Sequence, residues 1–205
     1  MAPVARITRP GRTNRIADAS VVGNLERNGA FFASSCLLIL AGIITALGYT
    51  SQAMEVFATL PFSPAPSREI WELRLVTLLV VFVYAFFKFT WSMRMYNFVS
   101  VMIGSAPLAD DSKISPAARE AFARSAGNIC NLAGDAFNLG LRSYYYALAV
   151  VAWFFSPIAF IVASTVVVIV LYRREFCSDA LGALRSGKVF EEPLPGKADP
   201  ASKPN

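Results

Sequence analysis

The sequence predicts an all-α fold, a polytopic membrane bundle of four transmembrane helices with both termini cytoplasmic, and three observations predict it. Hydrophobic residues make up 55% of the 205 and charged residues only 16%, with a mean hydropathy of +0.48, well beyond an average soluble domain. The apolar residues lie in long uncharged stretches and do not repeat at amphipathic spacing through polar sequence. The basic residues behind the net charge of +5 gather at the flanks of those stretches, where they set orientation. They form no continuous patch of the kind nucleic acid requires.

Residues 1–16 form a basic N-terminal segment, with Arg6, Arg9, Arg12 and Arg15 beside Pro3 and Pro10, suited to an anionic membrane surface. The membrane domain covers 17–184, with spans at 30–48, 70–93, 136–155 and 157–173. A helix can begin near Asp18 and run through Val21, Val22 and Leu25 into Phe31 to Leu47, leaving Arg27 at the water boundary. This first apolar run is long enough to span and lacks a small-residue cleavage site, so it is expected to stay in the membrane.

Met54, Phe57 and Leu60 at helical spacing predict a short interfacial helix over 51–60, broken by Pro61, Pro64 and Pro66. Ser67 is a suitable N-cap for the second span, with Glu69 and Glu72 where the helix dipole favours acid and Trp71 at the aromatic belt. That span is expected to end near Arg94, with Lys88 inside it. A polar turn from Gly104 to Lys113 leads to Ser115-Pro116, the N-cap and N1 pair of a long third helix.

The uncharged run from Ser143 to Tyr172 is roughly 45 Å long as one helix, too long for a hydrocarbon core of about 30 Å. Ser156-Pro157 in its middle suggests a tight turn between two spans. A single proline-kinked helix is the alternative. Four spans place the N-terminal segment, the Lys113–Arg142 connection and Arg173-Arg174 on one side, which the positive-inside rule makes cytoplasmic. The tail 185–205, rich in Pro, Gly, Lys and Glu, is expected to be disordered. No internal repeat stands out.

The chain contains no histidine, which excludes His-based triads, His-ligated haem and nearly all His-containing zinc sites. Cys36, Cys130 and Cys177 lie far apart and make neither a disulfide framework nor a CxxC site. No nucleophile elbow, no phosphate-binding loop and no pair of carboxylates with a plausible partner geometry is present, so neither catalysis nor a metal or cofactor is expected.

Candidate site residues lie on the second and third long helices. Asn128, Asn131, Asp135, Asn138 and Arg142 recur at three- and four-residue steps and share one helix face, beside Ala126, Ala133, Gly134 and Gly140. Small residues let helices approach and amides bond across the contact, so Asn128, Asn131 and Asn138 are expected to serve as a helix-packing stripe. The functional alternative joins Lys88, Arg94, Asp135 and Arg142 into an anion- or headgroup-binding cluster, with Asp135 as counter-ion. Asn24, Arg27 and Asn28 form a second polar face that could pack against it. Tyr144, Tyr145, Tyr146, Trp91, Trp153 and Tyr172 fall where aromatic belts are expected.

The stretches NLERNGAFFAS (24–34), KFTWSMRMYN (88–97), RSYYYALAVVAWF (142–154) and VLYRREF (170–176) together resemble a family of small uncharacterised bacterial inner-membrane proteins, a domain of unknown function of about four spans. The resemblance covers roughly residues 15–184. It implies a polytopic membrane protein with no established activity, substrate or cofactor. The expected role is an accessory or structural subunit of the bacterial inner membrane that packs against another membrane complex or a second copy of itself. The alternative is a small oligomeric transporter or channel for an anionic solute or lipid headgroup.

Overall fold

The computed structural model describes residues 12–59, 67–106 and 114–176, and all of its regular structure is helical. The basic segment before Arg12, the Pro61–Pro66 cluster, the turn 107–113 and the tail 185–205 lie outside the described residues. Five helices follow in order: α1 Arg12–Gly48, α2 Thr50–Ala58, α3 Arg68–Ser105, α4 Pro116–Trp153 and α5 Pro157–Phe176. The chain divides into two compact units, 1–164 and 165–205. The described part of the second unit is the end of α5, with its run of Val and Ile leading into Arg173 and Arg174.

Helix ends follow local chemistry. The Ser67 hydroxyl accepts from the Ile70 amide at 3.5 Å and opens α3. Ser115 accepts from Ala118 at 3.2 Å, with Pro116 at the first helical position of α4. Ser156 accepts from the Ile158 amide at 3.1 Å at the start of α5. The run from Ser143 to Tyr172 is therefore two helices, interrupted at Phe154–Ser156. One helix starts before its expected position, and another extends beyond the span expected within it. Helix α1 starts at Arg12 instead of near Asp18, because nothing after Pro10-Gly11 breaks a helix. Helix α3 continues through Arg94 to Ser105, since long basic side chains are good helix formers that reach out to water.

Helix α3 is the centre of the first unit, with α1 and α4 packed along it. Both neighbours are antiparallel to it. Asn97 near its C-terminus donates to Glu26 early in α1, while Phe89 stacks on Phe32 one and a half turns further along α1. Towards α4, Ser92 donates to the Ala133 carbonyl at 2.8 Å and Arg74 reaches the Phe154 carbonyl.

The buried residues of α3 explain this packing. Trp71, Leu75, Leu78, Phe82, Ala85, Phe89, Ser92, Tyr96, Val99 and Ile103 follow one another at alternating steps of four and three. That heptad spacing keeps a seam facing its neighbours along the whole helix. On α4, Ala126, Ala133, Gly140 and Ala147 are all buried and are seven residues apart. Large side chains on α3 thus meet small ones on α4, and the backbones come close. At Gly140 an added Cβ would lie 2.7 Å from the Phe89 ring.

The outward faces are apolar too. Leu38 is 77% exposed and Phe87 63%, alongside Phe31, Val80 and Leu148. A helix apolar all round is at home in lipid. Two helices are long and apolar enough to cross a membrane, α1 over Ala17–Gly48 and α3 over Arg68–Ser105, and α5 contributes a shorter apolar helix, Pro157–Arg173.

Candidate functional site

The structure separates the two halves of the stripe expected on α4. The small residues Ala126, Ala133 and Gly140 are buried against α3. The polar residues Asn128, Asn131, Asp135 and Asn138 are exposed. The small set steps by seven and the polar set by three and four, so both keep to one face, but the polar set is two residues out of phase, roughly half a turn around the helix. Among the described residues Asn128, Asn131 and Asn138 are not buried against another helix. They form an outward polar face.

Of the expected cationic cluster, Lys88 and Arg94 each lie against a ring of their own helix. Lys88 is half-buried with its ammonium 5.3 Å from the Tyr84 ring centre, and Arg94 is exposed with its guanidinium 5.8 Å from the Phe98 ring. Each of these contacts lies on α3 itself, four residues away. Among the described residues Lys88, Arg94 and Asp135 make no ion pair with one another, so Asp135 is not their counter-ion. Arg142 is half-buried. Asn24, Arg27 and Asn28 are exposed, and Arg27 donates to Asn24 on its own helix. The residue of α1 that reaches α3 at this level is Glu26, through Asn97 at 3.1 Å.

Tyr144 differs from its expected place in an aromatic belt. It occupies a seam position of α4 and lies at the centre of the bundle, with ring contacts to Phe32, Phe82 and Phe89. Its hydroxyl donates to the Phe32 carbonyl at 3.3 Å and is 3.4 Å from the sulfur of Cys36, which is fully buried. A polar tip with two partners is compatible with an apolar interior.

A different polar group is deeply buried at the opposite end of the bundle from Asn97. Trp71 is 4% exposed and Arg74 5%. The Arg74 guanidinium lies 5.4 Å from the Trp153 ring centre and 5.7 Å from that of Phe154. Its Nη1 donates to the Phe154 carbonyl at 3.4 Å. Arg74 Nε and Trp71 Nε1 are buried and have no acceptor among the described residues. Phe57 of α2 covers the group, with its ring centre 5.2 Å from Trp71 and 6.1 Å from Phe154. The signal in the sequence was the seam itself: Trp71 and Arg74 flank the Leu75, Leu78, Phe82 series, which places the arginine on the buried face.

All regular structure among the described residues is helical, and two of the helices are long and apolar enough to cross a membrane. The chain belongs to the family described as protein of unknown function DUF599, whose model matches residues 4–180. No curated protein and no solved structure matches it.

Proposed function

We propose that this chain is a multi-pass protein of the bacterial inner membrane with an accessory or structural role. It crosses the bilayer four times, with both termini cytoplasmic, and presents the outer face of α4 to a protein partner. The observation that carries the proposal is the contrast between the two faces of α4. The inner face is sealed: Phe32, Phe89, Phe137 and Tyr144 fill the space between α1, α3 and α4, which leaves a single chain without a polar path along this seam. The outer face carries Asn128, Asn131, Asp135 and Asn138 unburied, and amides in a row are effective interhelical donors and acceptors.

Length supports the placement. Helices α3 and α4 have 38 residues each, roughly 57 Å at 1.5 Å per residue, against a hydrocarbon core of about 30 Å. The apolar parts of α1 and α3 lie towards Gly48 and Leu75. The overhang is thus at the end holding Glu26, Asn97 and the exposed Arg124–Glu120 pair, the side that the basic segments make cytoplasmic.

The test is gentle detergent extraction from native membranes, followed by affinity recovery and mass measurement, with Asn131→Trp/Asn138→Trp alongside. The wild-type chain should emerge with a stoichiometric partner. The double variant should lose it while melting at an unchanged temperature, because neither side chain is packed within the chain. Recovery of a homo-oligomer that persists in the double variant would reject an accessory role through this face and favour transport, with solute flux the next measurement.

A further inference from the structure

The buried arginine carries a further inference, which rests on the proposed membrane placement but not on the accessory role. Trp71 and Arg74 are three residues apart on α3, so their side chains share one face. The bond from Nη1 to the Phe154 carbonyl places the cation at the C-terminal end of α4, where the helix dipole favours it. That bond uses one of the five donors of a guanidinium. It leaves the edge formed by Nε and Nη2 without an acceptor among the described residues, and Trp71 Nε1 is equally unpartnered. The remaining neighbours, Trp153 and Phe154, offer ring faces that attract a cation but accept no bond in the guanidinium plane.

No carboxylate among the described residues pairs with Arg74. Glu72, two residues away and on the opposite side of α3, is taken by Arg68 at 2.8 Å, and the connection 60–66 contains no acidic residue. A buried charge without a counter-ion and a buried donor without an acceptor are both unfavourable, and the same group is both. Depth points to the missing anion. Arg74 stands between the charged start of α3, Arg68 to Glu72, and the uncharged run Leu75–Phe87, which is the level of lipid headgroups.

We propose that Arg74 and Trp71 form a binding site for a phosphate group, carried by a lipid headgroup or by a soluble phosphate, at the α2 end of the bundle. The Nε/Nη2 edge supplies two parallel donors to one phosphate, the geometry in which arginine surpasses lysine, and the indole N–H supplies a third.

The experiment uses the full chain, stripped of lipid in detergent and phosphate-free buffer. Phosphatidylglycerol and inorganic phosphate are titrated separately, with melting temperature and bound mass as readouts. The wild-type chain should take up one phosphate-bearing ligand and melt higher. Apparent affinity should fall about tenfold or more in Arg74→Gln, less in Arg74→Lys, and not at all in the exposed control Arg68→Gln. Trp71→Phe keeps an aromatic ring in the seam but removes the indole N–H together with the pyrrole half of the indole; it should fold and bind several-fold more weakly, which covers the case where Arg74→Gln does not fold. A response to the lipid alone identifies a headgroup site, and a response to phosphate alone identifies a soluble ligand; either supports the site. No response of the wild type to either probe, or binding unaffected by both Arg74→Gln and Trp71→Phe, overturns it and leaves Arg74 as a cap on α4.

Discussion

Gly140→Leu is expected to prevent the bundle from assembling, and Gly140→Ala to destabilise it by about 1–3 kcal/mol, the usual range for overpacking. The Cβ of any residue at 140 would lie 2.7, 2.7 and 2.9 Å from three carbons of the Phe89 ring. That ring cannot retreat. It is fully buried, stacked on Phe32 at 5.2 Å between centres and met edge-on by Phe137 and Tyr144. Gly29 provides the contrast: its added Cβ would meet the Met93 Cγ at 2.8 Å, and a flexible thioether chain can swing aside. Thermal melts of the two alanine variants in detergent should rank Gly140→Ala well below Gly29→Ala. Adding Phe89→Leu to Gly140→Ala should cost less than the sum of the two single changes, because the residues share one contact. Wild-type melting of Gly140→Ala would mean that α3 and α4 do not approach as closely as described.

The second large effect is Phe89→Ala, expected to cost about 3 kcal/mol. In the proposed membrane setting the transfer of an aromatic ring to the interior contributes little, because hydrocarbon would surround the protein on the outside as well. What is lost is dispersion contact and close packing. The matching control is Phe87→Ala, two residues away and 63% exposed, which should change the melting temperature little. Equal losses at 87 and 89 would show that burial in the seam is not what stabilises the bundle.

The reason for that seam also explains what could be seen in the sequence. Punctuation was visible. Ser67, Ser115-Pro116 and Ser156-Pro157 are capping signals that act locally, and all three mark helix starts in the structure. Orientation of the helices about their axes was not. With apolar residues on every side of α3, hydrophobic periodicity cannot distinguish the face that meets protein from the face that meets lipid. Residue size does distinguish them: Phe82, Phe89 and Tyr96 on α3 repeat every seven residues, as do Ala126, Ala133, Gly140 and Ala147 on α4.

Without that phase, the polar line on α4 looks like the packing face, whereas it is the opposite one. The same omission conceals Arg74. Counted as a flanking charge, it is an orientation signal, but on the seam it becomes a buried cation. Lys88 and Arg94 draw attention as charges within or near an apolar run, yet each settles against an aromatic ring on its own helix. Family membership adds that these chains form a group by sequence; the proposed role comes from the two faces of α4.

The most direct measurement of the proposed arrangement in the membrane is single-cysteine accessibility. With Cys36, Cys130 and Cys177 replaced, cysteines are introduced one at a time at Gln52, Ser125 and Phe155, all exposed in the structure. A membrane-impermeant maleimide is then applied to intact spheroplasts. Labelling at Gln52→Cys and Phe155→Cys in intact spheroplasts, with Ser125→Cys labelled only after lysis, is the result expected if α1, α3 and α4 each cross the bilayer with the long overhang inside. Labelling of all three sites before lysis would contradict the membrane-spanning arrangement on which the proposed function rests.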